Sequence, residues 1–227
     1  MNEQERAEEH LRTIRRLMER GTIYRAISAP TALVGGVLSI LAFLIYTPPR
    51  IEEGNFFPFP APEHRLNRFI VIWVFVLLLT AAANTLFIVL GARQRGERVL
   101  SASMKTALAA IAPAFILGGA LAALFAPGMF EPGVNFDIAV MWVSLYGVGL
   151  LATSQFAPRS LTILGLAFLT SGITAIVAII SLFSKAATAD AIGDGRYASL
   201  LMLLTFGLYH LIYAACVWPR KRAEPEQ

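Results

Sequence analysis

The stretch Ala29-Pro30-Thr31-Ala32-Leu33-Val34-Gly35-Gly36-Val37-Leu38-Ser39-Ile40-Leu41 carries no charge, and the charge-free run around it extends from Arg25 to Arg50. About 20 apolar residues cross the ~30 Å hydrocarbon core of a bilayer as a helix. The run is long enough, and lipid offers its backbone amides no partner outside a helix. Five more such runs follow, between Arg68 and Arg93, Lys105 and Glu131, Asp137 and Arg159, Arg159 and Lys185, and Arg196 and Arg220. The core spans read from them are Ala26–Tyr46, Phe69–Leu90, Thr106–Ala126, Ile138–Ser154, Leu161–Phe183 and Tyr197–Trp218. The chain therefore reads as an all-α integral membrane protein with six transmembrane helices and an N-terminal cytoplasmic amphipathic helix.

Composition supports this reading. Of 227 residues, 56% are hydrophobic and 15% charged, against about 25% charged in a soluble domain. Mean hydropathy is +0.63. The organisation expected is a cytoplasmic helix over 1–22, a bundle over 23–218 and a basic tail over 219–227. A densely charged opening of both signs does not match the short basic region of a cleaved signal peptide, so the first span is expected to be retained.

Fourteen Lys and Arg fall on one side of the spans, in the N-terminal segment, the Gly91–Lys105 loop, at Arg159 and in the tail. Five fall on the other, at Arg50, Arg65, Arg68, Lys185 and Arg196. Excess basic charge marks the cytoplasmic face, which places both termini there. Arg93, Arg95, Arg98 and the Arg220-Lys221-Arg222 run then account for the pI near 9.5 as topology signals beside anionic lipid. Nucleic acid is not an expected partner, because no segment is long enough to fold as a basic module.

Within 1–20, Ala7, Leu11, Ile14 and Met18 form one stripe, and acidic residues lead basic ones as the helix dipole favours. This helix either rests on the membrane surface or the bundle, or docks a protein partner. The outer loop 47–68 holds Phe56-Phe57-Pro58-Phe59-Pro60-Ala61-Pro62, too proline-rich for a regular helix. It reads as a cap on the bundle, with a solute lid as the alternative.

Small residues recur at i,i+4 in the odd spans: Ser28, Ala32 and Gly36; Ala110, Ala114, Gly118, Ala122 and Ala126; Thr170, Thr174 and Ala178. Such stripes let helix backbones approach, so Gly35, Gly36, Gly118 and Gly119 are assigned to helix packing and the odd spans to the tightest contacts. Pro30 and Pro113 are expected near the cytoplasmic ends of their spans, either accommodated at the first turns or kinking the helix locally. A shift of 83 residues lays Ala29-Pro30 and Gly35-Gly36 on Ala112-Pro113 and Gly118-Gly119, a weak parallel repeat. Trp73-Val74 and Trp142-Val143 match at a different shift.

The core spans hold no Asp, Glu, Lys or Arg, the groups that mark ion pathways. His210 is the one ionisable exception, with Asn84 at similar depth and Tyr213 one turn away. These three form the candidate intramembrane polar site. It reads as a neutral histidine bonded to Asn84, a tyrosine or a carbonyl, or alternatively as a proton-sensing or ligand-binding group. No catalytic constellation, metal set or cofactor motif is visible, so no enzyme activity, metal or cofactor is expected. His210 and Cys216 are six apart, and Asp190 with Asp194 are too few for a calcium site.

Ile14-Arg15-Arg16-Leu17-Met18-Glu19-Arg20-Gly21-Thr22-Ile23-Tyr24 with Gly35-Gly36, and Phe206-Gly207-Leu208-Tyr209-His210-Leu211-Ile212-Tyr213, resemble the two ends of a family of uncharacterised bacterial multi-pass membrane proteins. The resemblance implies a bacterial inner membrane and no activity. The function expected is that of a non-enzymatic membrane-embedded partner, scaffold or sensor, contacting lipid and, through residues 1–20, a protein. The alternative is a transporter or facilitative channel for a small neutral solute. Oligomeric state is left open.

Overall fold

The computed structural model describes residues 4, 6, 8–14, 29–46, 67–96, 99, 102–125, 134–154, 157–182 and 195–218. Six of its helices are long and apolar enough to span a membrane: α1 (Ala29–Tyr46), α2 (Arg68–Arg95), α3 (Ala102–Phe125), α4 (Val134–Ala152), α5 (Arg159–Leu182) and α6 (Arg196–Val217). No strand occurs among the described residues. Each helix covers its expected span to within a few residues. The loop 47–66, His64, Asp190, Asp194 and the tail 219–227 lie outside the described residues.

Large apolar side chains face outward, as in Ile116 at 71% and Leu124 at 68% exposure. An exposed apolar belt of this extent suits hydrocarbon, which needs no polar covering. Inside, α1 packs on α2 and α6, while α4 packs on α3, α5 and the start of α6. The outer pair, α2 and α3, do not lie along one another. The bundle is therefore a central α1–α6–α4 group with α2 and α3 as separate wings and α5 behind α4.

One end is pinned by polar contacts. Asn67 caps α2 by accepting from the amides of Phe69 and Ile70 at 3.0 and 3.4 Å, a standard use of Asn at an N-cap. Its amide also donates to Asn135 Oδ1 at 2.6 Å, tying the start of α2 to that of α4. Arg68 donates to the Ile45 carbonyl at 2.8 Å, satisfying a C-terminal acceptor of α1. Gly195 precedes α6 with φ at 72°, a left-handed conformation costly for other residues, and a Cβ there would run into Tyr46.

The closest helix approach differs from expectation. It joins the fourth and fifth spans: a Cβ on Gly147 would stand 2.7 Å from the Leu169 nitrogen and 2.9 Å from the Gly165 carbonyl oxygen. A Cβ on Gly172 would meet the Ser144 side chain. The buried face of α5 carries Leu161, Leu164, Gly165, Phe168 and Gly172, whereas Thr170, Thr174 and Ala178 are exposed. The first-span stripe does pack, with Ala32 and Gly36 buried and Gly36 set against Leu211 and the Gly207 carbonyl of α6; Ser28 lies outside the described residues. The third span is the least enclosed. Pro113 is in the interior of α3, removing one backbone donor there.

The segment Leu203–Tyr209 of α6 is π-helical. Such wide turns concentrate at functional sites, and this one ends immediately before His210.

Candidate functional site: an intramembrane cavity

A cavity of about 280 Å³ opens between the wings, walled by five helices. From α1 come Gly35 and Ser39, and from α2 Trp73, Leu77 and Thr80 among others. The α3 wall is small, with Ala114, Gly118, Gly119 and Ala122 beside Phe115. Trp142 and Tyr146 close it from α4, and Phe206 and His210 from α6. Among the described residues no Asp, Glu, Lys or Arg lines it.

The glycines divide here. Gly35 approaches Thr80, with 3.1 Å from a built Cβ to Cγ2, and Gly118 sits under Trp142. Around Gly119 a Cβ would meet nothing within 4 Å. The packing role expected of Gly119 is not what the geometry shows, because the space beside it is open and it lines the cavity. The likeness of α1 and α3 therefore does not extend to equivalent packing.

His210 lies about 21 Å along α6 from Arg196, at 1.5 Å per residue. Its Nε2 is 2.9 Å from the Tyr146 hydroxyl, which donates when Nε2 is unprotonated. Its ring stacks on Phe206 with centroids 5.9 Å apart and an interplanar angle of 10°. Phe168 packs on both His210 and Tyr146, at 5.5 and 4.7 Å. In that tautomer Nδ1 carries the proton. The Thr205 and Phe206 carbonyls lie beside the ring, yet neither meets Nδ1 with hydrogen-bond geometry.

Asn84 takes no part in this arrangement. Its Oδ1 accepts from Thr31 on α1 at 3.0 Å, so the two polar residues that share a depth serve different helix pairs. Tyr213 is 5% exposed and lies off the cavity wall. Tyr146 was missed because a tyrosine in an apolar span reads equally well as packing. Trp73 and Trp142 had a signal, the shared Trp-Val pairs, and they turn out to face one cavity.

Three residues of the wall hold buried polar atoms without a partner in the protein: Trp73 Nε1, Thr80 Oγ1 and His210 Nδ1. Leaving such a group unpaired costs roughly 1–3 kcal/mol. In soluble and membrane proteins alike, apolar cavities with a few convergent polar groups are the usual form of small-molecule sites. Among the described residues no group of His, Cys, Asp and Glu is placed to hold a metal ion. No protein-family model matches the chain, and no curated protein or solved structure is significantly similar to it.

Proposed function

We propose that the protein is a non-enzymatic, membrane-embedded sensor that binds a small molecule in this cavity and passes the bound state to a partner through residues 1–20. The cavity carries the binding half: Trp73 Nε1, Thr80 Oγ1 and His210 Nδ1 lack protein partners on a wall built largely of rings and apolar or small residues. The output half rests on residues 8–14, which are helical, with Leu11 and Ile14 exposed. Glu8 and Arg12 pair at 3.7 Å on the same helix. Of the other residues in 1–22, where the amphipathic helix is expected, only 4 and 6 are described. A bacterial inner-membrane setting with both termini cytoplasmic belongs to the same proposal, supported by the Lys and Arg asymmetry and the family resemblance.

Transport of a neutral solute is the second reading. It needs a continuous polar path, and Asn84 with Thr31 and His210 with Tyr146 fall on separate helix contacts. The sensor reading is tested by native purification followed by mass spectrometry of retained small molecules, with pull-downs of the full chain and of a chain lacking residues 1–20. A retained molecule, and a partner lost on truncation, are expected. Identical partner sets with no retained molecule would defeat the reading.

A further inference from the structure

The rim of the cavity shows where a ligand enters. Leu77 on α2 and Phe115 on α3 both line the cavity and are exposed, at 43% and 39%. Gly119 is likewise exposed and on the wall. These residues face one another across the gap between wings that do not pack together. Leu77 lies ~14 Å along α2 from Arg68, and Phe115 ~15 Å before Phe125, at 1.5 Å per residue. The gap therefore opens sideways at mid-membrane depth, onto acyl chains.

The walls define what fits. Six ring-bearing side chains, Trp73, Phe115, Trp142, Tyr146, Phe206 and His210, surround it, and glycine backbone at Gly118-Gly119 leaves a low wall opposite. Flat rings stack favourably on such surfaces, by about 0.5–1.5 kcal/mol per ring pair. A charge is excluded, since no counter-charge lines the site and burying an unpaired one is costly. An apolar cavity of about 150 Å³ holds benzene, so about 280 Å³ has room for a substituted ring.

The unpaired atoms complete the specification. Trp73 Nε1 is a donor only, the Thr80 hydroxyl can donate or accept, and Nδ1 of His210 donates in the tautomer whose Nε2 accepts from Tyr146. All three atoms are buried on residues of the wall, so pairing with a ligand requires their side chains to turn toward the cavity. The indole N–H of Trp73 and the Thr80 hydroxyl suit an oxygen acceptor. An acyl chain would fill the space and leave them unpaired.

Resting on the binding half of the sensor reading, the geometry points to a neutral, planar, lipid-soluble molecule with ring carbonyl or phenolic oxygens, admitted from the bilayer between Leu77 and Phe115. Duroquinone is a suitable probe because its ring is fully substituted and does not add to the exposed thiol of Cys216. Durene, the same ring and methyl groups without oxygen, is its control.

The chain has three tryptophans, two of them on the cavity wall. In Trp218→Phe protein in lipid nanodiscs, duroquinone should quench the remaining emission saturably, and durene should displace it at least ten-fold less effectively. Gly119→Leu fills the space beside the rim and should weaken binding at least ten-fold. Gly119→Ala, the smaller step, should weaken it by a few fold and serves if the leucine variant misfolds. Thr80→Val keeps the shape, and should weaken duroquinone several-fold with no effect on durene. Quenching that rises linearly with lipid loading, unchanged in both Gly119 variants, means dissolution in the bilayer and overturns cavity binding itself. Saturable binding in which durene equals duroquinone keeps the cavity as a site and overturns the oxygen-bearing class alone.

Discussion

His210 shows what an imidazole needs at the centre of a membrane. Nε2 has the Tyr146 hydroxyl at 2.9 Å, and the ring is held between Phe168 and Phe206. Interhelical hydrogen bonds in membrane bundles average about 0.6 kcal/mol and reach ~1.7. Tyr146→Phe keeps the ring and deletes the hydroxyl, and is expected to cost about 1 kcal/mol. It should appear as a modest fall in thermal stability in detergent, with insertion unchanged. His210→Ala should cost more, because the stacked ring goes with the hydrogen bond. In a double-mutant cycle the two changes should couple by about the hydrogen-bond energy, and additive losses would show that the contact contributes nothing. His210 stood out in the sequence as the one ionisable residue of the spans. Its partner did not, since Tyr146 is 64 residues away and nothing local distinguishes a bonded tyrosine from a packed one.

Helices in lipid are held by shape, so glycine carries different weight on different faces. Gly147→Ala places a methyl group against backbone atoms of α5 at 2.7 and 2.9 Å, and backbone cannot step aside as a side chain can. We expect a loss of about 1–3 kcal/mol, measured as a lowered unfolding midpoint. Gly119→Ala, on α3, puts the same methyl into open space and should leave stability within ~0.5 kcal/mol of wild type or raise it slightly by helix propensity. Equal losses at the two positions would refute the assignment of the tight interface to α4 and α5. The six helices themselves were legible, because absence of charge over ~20 residues is a direct consequence of the bilayer. The pairing of helices was not. Ala110, Ala114, Gly118 and Ala122 satisfy the small-residue spacing as well as any packing face does, and the same smallness also makes a cavity wall. The π-helical turn at Leu203–Tyr209 leaves no signature in side-chain type. It shifts the register of His210 relative to the residues before Leu203, by about 100° for each extra residue.

For the whole molecule, an even number of spans places the two ends of the bundle's chain on one side of the membrane. Six helices among the described residues are long and apolar enough to span a membrane, and the segments between and around them divide fourteen Lys and Arg against five. A green fluorescent protein fused after Gln227 should fluoresce, and alkaline phosphatase at the same point should be inactive. Phosphatase fused after residue 130, between α3 and α4, should be active. Those outcomes follow from the retention of basic loops on the cytoplasmic face; the reverse pattern would overturn the orientation and with it the placement of residues 1–20 among cytoplasmic partners. The dependence on charge can be tested separately. Neutralising Arg93, Arg95, Arg98 and Lys105 leaves ten basic residues against five, so orientation should hold with only a minor inverted fraction. Neutralising the six of the N-terminal segment as well leaves four against five. The bias is then gone, and phosphatase after Gln227 should become measurably active in a mixed population. A population that stays uniform after both changes would mean that packing of the spans, and not loop charge, sets the orientation.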